Sequence, residues 1–170
     1  MAKVSTKENK TIYQIVREEL GLSREKASEL LGGISPERIE RIENEKSQPQ
    51  PDEILIMADK YKHPDLCNYY CANQCSIGCE YVPEINIKDL SVIVLEMLSS
   101  LNSMDKKKER LIEIAADGKI EGTEIKDFIY IQNELEKISI TVETLQLWVE
   151  KMIANGNIDE ELYEQYKNEN

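Results

Sequence analysis

Residues 22–43, LSREKASELLGGISPERIERIE, hold two helix starts and one helix stop. Ser23 is a good N-cap, because its hydroxyl accepts from a backbone N–H that has no partner inside the helix. Lys26 falls at the third helical position, where a reciprocal capping pair would use Glu. The helix 24–31 then turns Ala27, Leu30 and Leu31 inward, and Gly32-Gly33 ends it. Ser35-Pro36-Glu37 opens the next helix, with Ser as the cap, Pro at the first helical position and Glu in the first turn. Ile39 and Ile42 form its inner face. Two short helices joined by a tight turn make a helix-turn-helix pattern.

Working outward, residues 11–20 place Ile12, Ile15, Val16 and Leu20 on one face, and Gly21 closes that helix. Downstream, Pro51-Asp52-Glu53 starts a fourth helix whose apolar set is Ile54, Leu55, Met57, Ala58 and Tyr61. Leu22-Ser23, Ala27 and Leu31, Ile39 and Ile42-Glu43, Pro49 and Pro51, then Ile54, Leu55 and Ala58 stand in one register. With that register the chain resembles the phage-repressor-like (xenobiotic-response-element type) family of bacterial transcription regulators across roughly residues 10–65. Arg24 stands where many members place Gln, and the position usually held by Gly falls on Glu45 or Lys46.

The resemblance implies double-stranded DNA as partner and residues 36–44 as the recognition helix. Expected contacts are Arg24, Ser35, Glu37, Arg38 and Arg41, with Lys26 and Lys46 on phosphates. Glu37, Glu40 and Glu43 would repel phosphates, although Glu accepts from cytosine N4. One short helix reads only a few base pairs, so a homodimer is expected. The rival reading is a protein-interaction module that keeps the repressor-like fold without DNA binding.

All four cysteines lie in CNYYCANQCSIGC, at Cys67, Cys71, Cys75 and Cys79. Pro64 and Asp65 suit a helix start, and a helix over 65–77 would put three of the thiols on one face. Cys67 and Cys75 would then lie about 12 Å apart along the axis. Zinc draws four sulfurs to about 2.3 Å, so an unbroken helix cannot deliver the set. Either the segment unwinds around zinc or a wider iron–sulfur cluster spans it. Small apolar residues packing a helix closely are the other reading, and redox pairing a third. Gly78 permits a left-handed turn returning Cys79 toward Cys75. His63, the only histidine, reads as a surface residue before Pro64.

Beyond Pro83 the pattern stays helical. Residues 87–101 are apolar at Leu90, Ile93, Val94, Met97, Leu98 and Leu101. Another helix points Leu111, Ile112, Ile114 and Ala115 inward. Asp117 to Glu124 mimics the second half of a calcium loop, but the first half would need ligands at Glu113 and Ala115 inside an apolar helix. A glycine corner between helices explains it better, and a long helix follows over about 123–155, some 45 Å. Its apolar positions include Ile131, Leu135, Val142, Leu147 and Trp148. Such a stripe suits pairing with a second copy.

The expected fold is therefore all-α: a repressor-like helix-turn-helix bundle (1–65), a cysteine-containing junction (66–84) and an acidic helical dimerisation or sensor domain (85–170). Net charge is −12 over 170 residues, and −10 of it falls after Asp65. No apolar run nears the roughly 18–20 residues that span a bilayer. The polar start MAKVSTKENK has no apolar run of a secretory signal, so the expected compartment is the cytoplasm. With one His, no phosphate-cradling Gly-rich loop and no elbow serine, an enzyme is not expected.

Overall fold

The computed structural model describes residues 9–116 and 118–169. Residues 1–8 of the polar start, Asp117 (the first residue of the glycine corner) and Asn170 lie outside them. Every regular element among the described residues is a helix: α1 Ile12–Glu19, α2 Arg24–Leu31, α3 Pro36–Glu43, α4 Pro51–Tyr61, α5 Asp65–Asn73, α6 Gly78–Tyr81, α7 Leu90–Asp105, α8 Lys108–Ala115, α9 Ile125–Ala154 and α10 Glu160–Asn168. No described helix is long and apolar enough to cross a membrane. The chain divides into two compact units, Met1–Glu84 with Val149–Asn170, and Ile85–Trp148.

Ser23 and Ser35 cap their helices as the sequence leads one to expect, and Thr11, expected inside the first helix, caps it instead. Thr11, Ser23 and Ser35 accept from the backbone N–H groups of Gln14, Lys26 and Arg38. Gly32 ends α2 at φ +68°, a conformation that costs glycine nothing. The core gathers Tyr13, Val16, Ala27, Leu31, Ile34, Ile39, Ile42, Ile54, Met57, Ala58, Tyr61 and Leu66. Burying each large member contributes about 1.5–3 kcal/mol before chain entropy is counted.

Three helix faces differ from expectation. α1 buries Tyr13, Gln14, Val16 and Arg17, while Ile15 and Leu20 are exposed. The turn of the helix is set by distant partners: the Tyr13 ring meets Tyr69 edge-on at 6.0 Å, its hydroxyl donates to Gln74, and Arg17 is drawn in by Glu43. Leu30 and Leu55 also face outward.

The core of this unit continues past Asp65. Leu66 is fully buried in it, and Cys67, Tyr69 and Tyr70 pack against it, so α5 serves as a fifth helix of the bundle. α5 ends at Asn73 instead of running to 77, because the N–H groups of Gln74 and Cys75 both turn back to the Tyr70 carbonyl. Gly78 then starts α6 against the Cys71 carbonyl, where a Cβ would overlap the backbone. It is needed for close approach, not for a left-handed turn.

In the second unit α7, α8 and α9 bury Ile93, Ile114, Ile131 and Leu147. Arg110 fixes α8 to α9 through Asp127 at 2.9 Å, and Ser103 meets the Tyr130 hydroxyl at 2.8 Å between α7 and α9. Much of the expected apolar set stays outside, including Leu90, Val94, Leu98 and Leu101 of α7, Ile112 of α8, and Ile125, Ile129, Leu135 and Val142 of α9. Thr141 and Thr144 occupy the buried face of α9 by donating to the Lys137 and Ile140 carbonyls, which satisfies their hydroxyls within the helix.

Candidate nucleic-acid interface

The frame of the interface is an ion-pair network that the apolar pattern hides. Glu43, at the end of α3, is 1% exposed. Arg17 of α1 grips it with Nε at 2.5 Å and Nη2 at 2.9 Å, and spends Nη1 on the Leu22 carbonyl. Arg24 at the start of α2 adds a third bond to Glu43 at 2.9 Å. One carboxylate thus ties three helices together. Burial pulls against the charge of Arg17, but its hydrogen bonds to Glu43 win and raise its pKa. Removing one partner from such a buried pair costs about 3–5 kcal/mol, because the other charge is left unmatched.

Arg38 is committed in the same way. Its Nε and Nη2 each reach Glu53 at 2.6 Å, Nη1 reaches the Ser47 hydroxyl at 2.6 Å, and Nη2 also reaches the Gln48 carbonyl. This clasp fixes the turn between α3 and α4. The Arg38 guanidinium holds the Glu53 carboxyl below its usual range, so its contribution is complete above the ordinary carboxylate pKa and lost as pH falls through the lowered one. Glu53 also accepts from the Gln50 backbone N–H and caps α4.

The other expected contacts divide accordingly. Ser35 is spent as the cap of α3. Glu37 and Arg41 lie one helical turn apart on α3 and are both exposed. Neither is drawn into an ion pair of the frame. Lys26 is exposed on α2, and Lys46 stands 3.8 Å from Glu40 with both side chains largely in solvent. Glu45 has φ +56°, so it, and not Lys46, occupies the turn position that favours Gly. Of the four arginines in residues 9–84, three hold the frame and Arg41 alone faces outward unclaimed by it. Arg17 was missed by sequence reasoning, and Glu43, expected to face phosphates from the recognition helix, is instead buried in the pair with Arg17. The one signal was a charged residue one turn after Tyr13, on the face that the core requires.

The cysteines are not gathered. Cys67 and Cys71 lie on α5, Cys75 in the turn after it and exposed Cys79 on α6. Cys75 accepts weakly from the Gly78 N–H, at 3.5 Å. Burial, with smaller effects from Cys71 and Glu150, pushes the Cys67 thiol up. No set of three or more His, Cys, Asp or Glu side chains among the described residues is arranged to hold a metal ion.

No curated protein and no solved structure matches the chain. A helix-turn-helix family model does match, over residues 14–64, which run from α1 to the turn beyond α4 and contain the Arg17–Glu43 network, α2, α3 and the Arg38 clasp. The N-terminal region is therefore a helix-turn-helix domain of the phage-repressor-like type.

Proposed function

We propose that the chain is a cytoplasmic transcription regulator that binds double-stranded DNA sequence-specifically as a homodimer. The observation that carries this reading is the division of labour on α3: Arg38 and Glu43 are locked into the frame, while Glu37 and Arg41 point outward from it. In the major groove Arg41 donates to guanine O6 and N7, and Glu37 accepts from cytosine N4. Lys26 and Lys46 position the domain on phosphates. Arg24 and Arg38 act from behind, by holding α2 and the α3–α4 turn.

The second copy is assigned to the outer face of α7. Leu95 is 67% exposed and Leu98 52%, and Glu96 and Asp105 are the helix's only charged residues. A helix apolar over most of its surface is normally covered. In a protein of charge −12, self-association is least opposed where charge is scarce. Response to zinc, an iron–sulfur cluster or oxidation remains the finer expectation for the cysteine segment. It requires α5 to open, which far-UV circular dichroism would register as lost helix on loading.

Selection of bound duplexes from a random pool, followed by anisotropy titration, tests the reading. Arg41→Ala should weaken the selected site by about 1–3 kcal/mol and relax one base-pair position, whereas Lys26→Ala should weaken all duplexes alike. Enrichment of no sequence, with retention of protein partners only, would favour the interaction module.

A further inference from the structure

Between α7 and α9 the second unit has a groove of about 520 Å³, within the size range of small-ligand sites. It lies wholly inside residues 85–148 and owes nothing to the DNA-binding reading. Seven of its eight lining residues carry a polar side-chain group, set among apolar stems and Ile140. α7 supplies Glu96, Ser99, Ser100 and Ser103, and α9 supplies Glu134 and Lys137.

Glu134 is the unusual member. Its side chain is only 8% exposed, and a buried carboxylate needs a matching charge. The match is Lys137 at 2.6 Å, whose own side chain is 62% exposed. Such a neighbour on one helix is held weakly and can swing into solvent. Hydrogen bonds from Lys137 and then Ser103 keep the Glu134 carboxyl below its usual range, against the opposing effect of burial, so it is ionised at neutral pH. Ser103 is itself anchored by the Tyr130 hydroxyl. On the other wall Glu96 is paired with Lys88 at 2.7 Å, both of them nearly half exposed.

The groove thus offers two carboxylates from two helices, each neutralised by a lysine that solvent can take back, with serine hydroxyls between them. Ammonium groups suit that lining: they donate three hydrogen bonds each, to carboxylate and hydroxyl oxygens alike. The surrounding acidity raises the local concentration of cations. We infer that the groove binds a small organic dication with two primary ammonium groups, the class of the aliphatic diamines and polyamines, which displaces Lys137 from Glu134 and Lys88 from Glu96.

Calorimetric titration of the full chain with putrescine, cadaverine and spermidine, and with butylamine as the monoamine control, tests this. One saturable site per chain is expected, tighter for the diamines than for butylamine. Glu134→Gln should weaken it about tenfold or more. Lys137→Gln removes the competing cation and should tighten it about twofold. Circular dichroism checks that each variant folds. Should Glu134→Gln not fold, Glu96→Gln on the exposed wall must narrow the preference for diamine over monoamine. Uptake that does not saturate at one site, that ignores both glutamate substitutions and that salt erases would be the counter-ion atmosphere of an acidic surface, and would overturn the assignment.

Discussion

At the scale of single residues, the N-terminal domain separates charges that hold it together from charges that face outward. Glu45 is among the outward ones and carries a backbone cost as well. Its φ of +56° puts a side chain where a left-handed backbone costs a non-glycine residue about 1–2 kcal/mol. Part of that would be offset in a glycine variant by the greater freedom of the unfolded chain. Glu45→Gly should therefore stabilise the protein by about 0.5–1 kcal/mol, measured as a higher urea midpoint at unchanged slope. A lower midpoint would mean that the carboxylate has a stabilising contact worth more than the strain. The same substitution removes a negative charge beside α3, so any gain in DNA affinity has to be measured separately from stability.

Among the elements, α5 carries the clearest consequence. Cys67 packs against the core, Cys71 and Cys75 are partly covered, and Cys79 is exposed. The thiolate is the reactive form, and burial disfavours it at Cys67. Alkylation of the native protein, followed by mass spectrometry, should modify Cys79 first and Cys67 last. Rapid modification of all four together would mean that α5 opens readily, the condition any metal would need. What was legible in the sequence here was local. The starts of α2 and α3 could be read because Ser23, Ser35 and Pro36 act within one turn of themselves. The inward face of α1 could not, since Tyr13 and Arg17 are turned by Tyr69, Gln74 and Glu43, which are distant in sequence. The end of α5 was hidden for a related reason: Gly78 matters through its approach to the Cys71 carbonyl, and a backbone contact leaves no periodicity. In α7 and α9 the apolar pattern identified helices correctly, but it marked more inward residues than the unit buries, because a stripe destined for any partner looks the same.

For the whole molecule, the electrostatic cost of approaching DNA sets the kind of binding expected. Lys26, Arg41 and Lys46 are the outward cations of α2, α3 and the following turn, and Glu25, Glu29, Glu37 and Glu45 are exposed around them. With two or three phosphates neutralised per protomer, log K should fall against log salt with a slope of about −2 to −3 per protomer. Anisotropy titrations across a salt series measure it directly. A slope of about −4 to −5 per protomer would require Arg24 and Arg38 to leave Glu43 and Glu53 and engage the backbone of the duplex. Weak attraction to phosphates in general leaves discrimination to the base edges. The locked arginines then have a consequence for engineering. On the proposed reading, in which Glu37 and Arg41 meet the base edges, sequence preference can be rewritten there, since neither residue is part of the Glu43 or Glu53 clasp. Paired libraries at those two positions should yield mutually orthogonal regulators that share one scaffold.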